Sequence, residues 1–402
     1  MQKTPLKVMI VTGLTHYGRG GVQCETEKLL IGLNEQGVDI MMLSDTSFES
    51  TKHIKSRQIT CPPNRQTFCE IETIAKNYQP DIIHMIGGGN RMIAAVNKLG
   101  EQFKCIITIH NVPPYERSAP LLYGHNSLHY FIRDLLAIPS RLSWSALLHR
   151  SKFPKIICHS TQVAEYVNKI GYPLSKIDVI PFGTERVESD ASASGPNSAF
   201  TKDAFPRLLS IAGYNHTKGF HDYLRVVQHL IKDFPQLHYC IIGGDRDPKY
   251  CQFIQERVRK LNLEKHVSVI RNATDEHRDA ALSEADIYIQ PSHEEGFCLA
   301  YLEAAMVVPL ILGTTTGAIS AITGTDKTGL VVAPKDIDAL EKASLNLISQ
   351  LENIDKYKIV EERTQRLLNE FSWDNYINMH IKLYQDVTNS GKCVNESPLS
   401  SK

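Results

Sequence analysis

Short apolar runs alternate with amphipathic segments along the first half of the chain. The runs are rich in β-branched residues and lie at 8–11, 38–43, 82–86, 105–110, 156–159 and 178–181. Helical spacing separates them, as in Thr26, Leu29, Leu30 and Leu33 after the first run. Continuous apolar strands that alternate with helices are typical of a parallel sheet covered on both faces. We therefore predict a doubly wound α/β domain over 1–187.

A polar segment rich in serine and alanine interrupts this pattern at 188–198, and we predict a linker over 188–206. A second series follows, with predicted strands at 208–211, 238–242, 267–270, 287–290 and 310–312 and predicted helices at 222–234 and 248–261. We predict a second doubly wound domain over 207–370, which faces the first across a cleft. A C-terminal helix over 371–388 is expected to pack back on the first domain, before a disordered tail over 389–402.

Composition and charge exclude several classes of protein. Hydrophobic residues make up 42% and charged residues 22% of the 402 residues, which is typical of a globular chain. Lysine plus arginine and aspartate plus glutamate both number 44, and a net charge of zero argues against a nucleic-acid-binding protein. The nine cysteines include no C-x-x-C pair, so neither a disulfide framework nor a zinc site is expected. Without a membrane-spanning run or a signal-peptide core, we predict a cytoplasmic protein.

One region has its own charge pattern. Between Arg117 and Lys155, six basic residues accompany a single acidic residue, Asp134, and several aromatic residues. Basic, aromatic helices are typical of contact with an anionic membrane surface. An ordinary amphipathic helix pair that lines the cleft is the alternative interpretation, and we favour it. Peripheral membrane contact through 117–155 stays a hypothesis.

A glycine-rich segment, Gly18-Arg19-Gly20-Gly21, lies between the first predicted strand and helix. Glycines there let backbone N–H groups approach an anion beside a helix N-terminus. The segment is not G-x-G-x-x-G, and it lacks the lysine of a phosphate loop, so a nicotinamide or nucleotide-triphosphatase site fits poorly. A tight turn without a ligand explains the segment equally well.

A second segment, 292–305, follows the predicted strand 287–290 and opens a helix. Glu295 lies in the loop beside Gly296, and Glu303 lies two turns into the helix. The N–H groups of Gly296 and Phe297 offer a seat for sugar hydroxyls or phosphate, with a carboxylate on either side. Helix capping by Glu295 and a solvated helix face at Glu303 are the alternatives.

This second segment resembles the P-S-x-x-E-G-F-G-x-x-x-x-E-A signature of the retaining group 1 glycosyltransferases, which have the GT-B fold. Glu295 and Glu303 stand at the Glu-x7-Glu spacing of that signature. Further segments match the family in order along nearly the whole chain: Gly20-Gly21-Val22, 36–38, 80–84, 108–111, 179–184, 213–219, 241–244 and 371–373.

The resemblance implies transfer of a hexose from a nucleotide-diphosphate sugar, UDP- or GDP-linked, to a glycan or lipid-linked acceptor in cell-surface polysaccharide or glycolipid synthesis. It implies no cofactor and no metal ion, because protein groups stabilise the leaving diphosphate. The matched positions assign catalytic roles to Lys218 (the diphosphate), Glu295 (the hexose) and His110 (the sugar from the N-terminal side). The donor-binding positions are Gly20, Gly21, Gly213, Tyr214, Asn272, Gly296, Phe297, Cys298, Leu299 and Glu303, the last of these on the ribose.

Four departures from the family pattern bear on activity. Tyr214 occupies the place of the usual arginine beside the phosphate, and Cys298 replaces the second glycine of E-G-F-G. Phe182 replaces an asparagine at the domain boundary, and the segment from Glu303 to Pro309 is shorter than usual. For the missing cation, Arg19 and Arg246 are the candidates. His16, His84, His216 and His293 also border the predicted cleft.

Two other functions are compatible with the sequence. The first is a catalytically impaired relative that binds a sugar nucleotide and supports a partner enzyme, as Tyr214 suggests. The second keeps the fold and changes the reaction, as in sugar-nucleotide epimerases. A phosphorylase is disfavoured because no pyridoxal-binding lysine motif is evident.

Overall fold

A computed structural model of the chain describes residues 5–13, 21–46, 49–60, 65–87, 90–111, 145–151, 153–187, 198–244, 247–325 and 327–390. The chain divides into two compact units, Met1–Phe182 with Trp373–Lys402, and Gly183–Ser372. The boundary between the units therefore falls at Phe182-Gly183, five residues before the end of the domain predicted from the sequence.

The first unit is a parallel sheet with helices. Its strands are β1 (Lys7–Thr12), β2 (Asp39–Ser44), β3 (Lys55–Gln58), β4 (Ile82–Ile86), β5 (Cys105–Ile109), β6 (Ile156–Cys158) and β7 (Ile177–Val179). Their spatial order is β3-β2-β1-β4-β5-β6-β7, all parallel. The described helices of this part include α1 (Gly21–Glu35), α2 (Arg65–Tyr78), α3 (Asn90–Leu99) and α4 (Thr161–Lys169). Every residue of β4 and of β5 is buried, as expected for central strands covered on both faces.

The second unit repeats the same topology. Its strands are β8 (Arg207–Ile211), β9 (His238–Gly243), β10 (Val267–Arg271), β11 (Ile287–Gln290), β12 (Leu310–Thr314) and β13 (Gly329–Val332). They form a parallel sheet in the order β10-β9-β8-β11-β12-β13. The described helices are α5 (Phe220–Leu230), α6 (Pro248–Lys260), α7 (Asp275–Glu284), α8 (Leu299–Ala305), α9 (Ile319–Thr323), α10 (Ile337–Ile348) and α11 (Lys356–Glu370).

The last helix of the chain, α12 (Trp373–Asn389), belongs to the first unit, although the second unit precedes it in sequence. The Lys104 ammonium group, next to β5, donates hydrogen bonds to the carbonyl oxygens of Val387 and Thr388 at 3.0 and 2.7 Å. The Tyr376 hydroxyl donates to Glu25 of α1 at 2.7 Å. The positive charge of Lys104, at the C-terminal end of α12, also stabilises the dipole of that helix.

Strand order decides where each unit presents its loops. In a doubly wound sheet, the connections run in opposite directions from one central pair of strands, and a crevice opens at the carboxyl ends of that pair. The central pairs here are β1 with β4 and β8 with β11. In the second unit, the loops that follow β8 and β11 carry Lys218 and Glu295. Both residues therefore lie where such sheets bind ligands.

The two parallel sheets confirm the predicted fold class, and each sheet has the Rossmann-like order. In the part of the chain that the structure describes, no cysteine forms a disulfide bond. No helix within the described ranges is long and apolar enough to span a lipid bilayer.

Candidate functional site

The Lys218–Glu295 pair is the centre of the site in the second unit. Lys218 ends a single 3-10 turn, His216–Lys218, that follows β8, and Glu295 lies in the loop between β11 and α8. The ammonium nitrogen donates to both carboxylate oxygens at 2.8 Å. The Lys218 side chain is 20% exposed and that of Glu295 only 7%, so solvent reaches the pair chiefly at the lysine. The two predicted catalytic residues of this unit are thus in direct contact.

Neighbouring polar groups hold the Glu295 carboxylate. The Ser292 hydroxyl donates to Oε1 at 2.7 Å, and the Gln290 amide donates to the same oxygen at 3.2 Å. The Gln290 oxygen in turn accepts from the buried Tyr288 hydroxyl at 3.0 Å. A carboxylate with several donors keeps a fixed orientation without a ligand. The site is therefore largely preformed on β11.

Two glycines let the backbone segments of this site approach closely. Gly219 has φ of +68°, and a Cβ there would collide with the Pro291 carbonyl oxygen. Gly317 has φ of +57°, and a Cβ there would lie 2.8 Å from both the Glu295 Cβ and the Phe297 carbonyl oxygen. Any side chain at Gly219 would separate the turn that carries Lys218 from the loop that carries Glu295.

Cys298 replaces a glycine of the family signature, and its backbone adopts a conformation that is typical of glycine. Its φ and ψ are 89° and 69°, in the left-handed region, immediately before α8. A residue with a Cβ is strained there. Burial, followed by the nearby charge of Glu295, raises the pKa of the Cys298 thiol well above its usual range. The side chain is therefore a neutral thiol at physiological pH.

Glu303 lies on α8 near an arginine that the sequence did not single out. Burial raises the pKa of Glu303, the charge of Arg278 opposes this, and Asp279 and Asp275 raise the pKa further. The charges of Glu303 and Asp279 in turn raise the pKa of Arg278 against the effect of its own burial. The charges of Arg278 on α7 and Glu303 on α8 therefore influence each other, while the Arg278 guanidinium forms its ion pair with Asp279 at 3.1 Å.

Tyr214 does not fit its predicted role as a side chain that contacts a donor. Its ring is fully buried, and its hydroxyl donates to the carbonyl oxygens of Ile241 and Ile270 at 2.9 and 3.0 Å. Its backbone N–H donates to Gly244 at 2.9 Å. The ring therefore joins the ends of β9 and β10 and packs in the core. These buried hydrogen bonds explain why a tyrosine is present at this position. A neutral ring inside the core cannot supply the positive charge of an arginine side chain.

The other predicted donor positions of this unit lie in loops or at element ends. Gly213 follows β8, and Leu299 is the first residue of α8. Asn272 follows β10 with φ of 50°, is exposed, and donates its backbone N–H to the Gly243 carbonyl at 2.9 Å. Gly296 and Phe297 are buried beside Glu295. Whether a donor contacts these positions stays a prediction.

A cluster of imidazole and carboxylate groups adjoins the same two segments. His293 Nε2 lies 2.7 Å from Asp222 Oδ2, and His221 Nε2 lies 3.6 Å from Asp222 Oδ1. The His293 backbone N–H donates to the Thr217 carbonyl at 2.7 Å. Burial lowers the pKa of His221 to about 4, although the Asp222 charge opposes this. The cluster thus joins the Lys218 turn, α5 and the Glu295 loop.

In the first unit, His110 lies at the end of β5 and contacts a buried carboxylate. Its Nε2 forms a hydrogen bond with Glu25 Oε2 of α1. His159 Nε2 lies 3.2 Å from the other carboxylate oxygen, and its Nδ1 donates to the Ile180 carbonyl at 2.8 Å. Burial alone would raise the pKa of Glu25, but the charges and hydrogen bonds of His110 and His159 lower it well below its usual range.

Aromatic rings cover this carboxylate–histidine cluster. Phe182 is 6% exposed, and its ring centroid lies 4.0 Å from that of His159. The rings of His110 and His159 are 5.0 Å apart. Phe182, where the family has asparagine, is therefore part of an apolar wall against His159. His110 keeps only 11% of its side chain exposed.

Several predicted features lie outside the described residues: Gly20, His16, Arg19, Arg246, residues 117–144 and 152 of the 117–155 region, and the tail beyond Ser390. Gly21 is the first residue of α1 and is exposed. His84, at the centre of β4, is fully buried and bonds the Tyr384 and Thr108 hydroxyls at 2.7 Å each, so it supports the core.

Glu25, Arg278 and Asp222 lie outside the motifs that the sequence contains. The position of Glu25 could have been recognised from the sequence. It lies four residues before Leu29 and eight before Leu33, and so on the buried face of α1. A carboxylate on an apolar stripe predicts a buried partner. Arg278 and Asp222 carried no such signal, since each lies on a helix with other charged residues.

Two family models match the chain. The model for "Glycosyl transferases group 1" matches residues 197–365, and that for "Glycosyltransferase Family 4" matches residues 20–186. Together they cover more than four fifths of the chain, one model for each part of it.

Curated relatives are distant. A glycogen synthase of Mycobacterium tuberculosis is 23% identical over 242 residues, which cover 60% of this chain and 55% of that protein. One subunit of the phosphatidylinositol N-acetylglucosaminyltransferase of Arabidopsis thaliana is 25% identical over 244 residues, which cover 60% of this chain and 51% of that protein. The chain thus matches about half the length of these relatives.

Solved structures show the same fold. The sucrose-phosphate synthase of Thermosynechococcus elongatus has a TM-score of 0.73 at 19% identity, covering 96% of this chain and 100% of that one. HepE from Anabaena, solved in complex with UDP and glucose, has a TM-score of 0.68 at 13% identity, covering 95% of this chain and 100% of that one.

Proposed function

The chain belongs to the group 1 glycosyltransferases, which have the GT-B fold, and we propose that it transfers a hexose from a nucleotide-diphosphate sugar. The proposed acceptor is a glycan or a lipid-linked sugar, and the anomeric configuration of the hexose is retained. We place this reaction in the cytoplasm, within the synthesis of a cell-surface polysaccharide or glycolipid. The observation that carries the proposal is the Lys218–Glu295 pair at the carboxyl ends of the central strands β8 and β11.

Lys218 supplies the positive charge that departure of a nucleoside diphosphate requires. As the bond between the sugar and the diphosphate breaks, negative charge grows on the phosphate oxygens, and a fixed ammonium group nearby lowers the energy of that state. Glu295 holds the ammonium in place before a donor binds, so the cation is preorganised. In the donor complex, the phosphates share Lys218 with this carboxylate.

Glu295 has a second role toward the sugar. Its carboxylate is already fixed by Ser292 and Gln290, so it accepts hydrogen bonds from hexose hydroxyls without a further loss of side-chain freedom. Glu303, on α8, is the proposed contact of the ribose, and burial raises the pKa of its carboxyl group. The charge of Arg278 opposes this rise and so favours the carboxylate form of Glu303, which accepts hydrogen bonds from ribose hydroxyls.

We propose that His110 contacts the hexose. Glu25 anchors the imidazole ring through Nε2, so a ligand would form its hydrogen bond at Nδ1. A ring that is anchored in this way positions a hexose by hydrogen bonding and contact. We assign it no role as a general base.

The donor base is the first point to establish. HepE of Anabaena was solved with UDP and glucose, and the trehalose-6-phosphate protein of E. coli with UDP-2-fluoro glucose. Both have the fold of this chain, which supports a uridine donor as the first candidate. The Arabidopsis relative is a subunit of a phosphatidylinositol N-acetylglucosaminyltransferase, which supports a lipid-linked acceptor.

Donor turnover tests the proposal. The purified chain is incubated with UDP-glucose, UDP-N-acetylglucosamine or GDP-mannose, with and without glycan and lipid-linked sugar acceptors, and release of nucleoside diphosphate is measured. We expect release from one donor, a product whose anomeric configuration by NMR equals that of the donor, and a loss of about 100-fold or more in Lys218→Ala. The exposed Lys232→Ala serves as the matched control. A folded protein that releases no nucleoside diphosphate from any of these mixtures contradicts the proposal.

A further inference from the structure

The cluster formed by His221, Asp222 and His293 lies beside the Lys218–Glu295 pair and is not needed for the proposed sugar transfer. One potential ligand atom from each of the three side chains lies within 4.8 Å of those of the other two. The side chains are 9%, 16% and 9% exposed, respectively, so the group is enclosed but open to small ions. Nitrogen and carboxylate ligands around a shared point are the usual ligands of zinc.

The distances bracket those of a tetrahedral zinc site. With Zn–N and Zn–O bonds of about 2.0 Å, neighbouring ligand atoms are about 3.3 Å apart. His293 Nε2 and Asp222 Oδ2 are 2.7 Å apart, and His221 Nε2 and Asp222 Oδ1 are 3.6 Å apart. The candidate ligand atoms of all three side chains lie within 4.8 Å of one another, so small side-chain adjustments bring them to a common ion. Binding displaces the proton between His293 Nε2 and Asp222 Oδ2.

Groups around the cluster already orient its ligands. His221 Nδ1 forms a hydrogen bond with the Tyr250 hydroxyl at 2.9 Å, so Nε2 is the atom that faces Asp222. Such a bond on the far nitrogen is the usual support of a metal-bound imidazole. His293 is held through its backbone, which donates to Thr217 at 2.7 Å. The His216 ring, 6.3 Å from that of His293 between centroids, lies on the same turn as Lys218.

A second cluster of this type, Glu25 with His110 and His159, is a poorer metal site. Its carboxylate is fully buried and already accepts a hydrogen bond from the Tyr376 hydroxyl at 2.7 Å. A metal ion would have to compete with that bond at a carboxylate that solvent does not reach.

We propose that His221, Asp222 and His293 bind a zinc-class divalent cation, with water or His216 in the fourth position. The cation would join the α5 N-terminal turn, which carries His221 and Asp222, to the loop that carries Glu295. The hydrogen bond from His293 to Thr217 extends this connection to the Lys218 turn. The site is therefore a structural clamp on the segments that hold the Lys218–Glu295 pair, and it takes no part in the transfer of the sugar.

Cobalt titration tests the proposal directly. The full chain is freed of metal with a chelating resin and titrated with Co2+, whose visible spectrum distinguishes tetrahedral from octahedral coordination, and Zn2+ is then added in competition. We expect one equivalent of Co2+ in a tetrahedral or five-coordinate spectrum, displaced by an equivalent of Zn2+. His293→Ala and Asp222→Asn should each weaken the affinity at least tenfold.

The control variant is His229→Ala, on the same helix α5 and paired with Glu341 at 2.7 Å. It should bind Co2+ like the wild type. Circular dichroism establishes whether each variant is folded. If His293→Ala is not folded, the Asp222→Asn variant alone provides the test. A wild-type spectrum of octahedral Co2+ only, or full affinity in a folded Asp222→Asn variant, overturns the proposal. Because the readout is metal binding, the result is independent of whether sugar transfer is observed.

Discussion

Lys218 donates to both carboxylate oxygens of Glu295, although 77 residues separate them in sequence. The strands that bring the two residues together, β8 and β11, are neighbours in the sheet but are separated by β9 and β10 along the chain. The doubly wound topology, in which the chain returns to the centre of the sheet after completing one side, therefore creates the ion pair. Each half of the site is formed by a loop that has no partner until the sheet is assembled.

The first prediction concerns the energetic coupling within this pair. In a double-mutant cycle, Lys218→Ala and Glu295→Gln should show an interaction free energy of unfolding of about 1–2 kcal/mol, because the carboxylate is 7% exposed and the ammonium 20%. Chemical denaturation of the wild type, both single variants and the double variant measures it. Strict additivity of the two changes would show that the pair is not formed in solution.

The second prediction concerns Tyr214. Tyr214→Phe should lower the free energy of unfolding by about 1–2 kcal/mol, because two buried carbonyl oxygens lose their donor. Tyr214→Arg should be much more damaging, since it places a charge in the core. Urea denaturation measures both. The account of this residue fails if Tyr214→Arg is as stable as the wild type and binds a nucleotide sugar more tightly.

The third prediction concerns the left-handed residue before α8. Cys298→Gly should raise the free energy of unfolding by about 1 kcal/mol, because glycine adopts φ near 89° without strain. Cys298→Val should lower it, since a β-branched side chain is least tolerated in this region. Thermal denaturation of the two variants compares them. A Gly variant less stable than the Val variant would contradict the assigned conformation.

The fourth prediction concerns the buried Glu25. Glu25→Gln should lower the free energy of unfolding by about 3 kcal/mol at neutral pH, because His110 and His159 lose the carboxylate between them. The folded-state pKa of Glu25 lies well below its ordinary value of 4.5, so its contribution is complete above that pH and is lost as the pH falls through and below it.

Acid denaturation followed by fluorescence separates the wild type from Glu25→Gln. The wild type should lose stability more steeply below pH 4.5 than the variant, and the two curves should converge in acid. Glu27→Gln, two residues along the same helix, is the matched control. Parallel curves for the wild type and Glu25→Gln would exclude a charged Glu25 in the folded protein.

The sequence predicted the fold well wherever a strand is buried on both faces. The runs 82–86 and 287–290 coincide with β4 and β11, because central strands of a parallel sheet are continuously apolar. Strand β3 (Lys55–Gln58) gave no such signal, since it is an edge strand of four exposed polar residues. Its position depends on hydrogen bonding to β2, which no local pattern records.

The candidate site was predictable only where a motif names a residue. The Glu-x7-Glu spacing and the lysine of the glycine turn led to Glu295, Glu303 and Lys218, but no spacing shows that Lys218 and Glu295 touch. Substitutions were harder to interpret. In the sequence, Tyr214 aligns with an arginine that binds a ligand in the family. In the structure, its side chain is buried in the core. Glu25 required α12, more than 300 residues away, to complete its environment.

Nucleotide binding to the wild type and to Lys218→Ala tests the central claim most directly. A thermal-shift panel of UDP, GDP, UDP-glucose, UDP-N-acetylglucosamine and GDP-mannose is applied to both proteins and to the Lys232→Ala control. At ~100 times its dissociation constant, a ligand stabilises the folded state by ~2.7 kcal/mol, which raises the melting temperature measurably. We predict that one nucleotide class stabilises the wild type and Lys232→Ala, and that Lys218→Ala loses this shift. An equal shift in all three proteins, or none with any of these nucleotides, would contradict the assignment of Lys218 to the diphosphate.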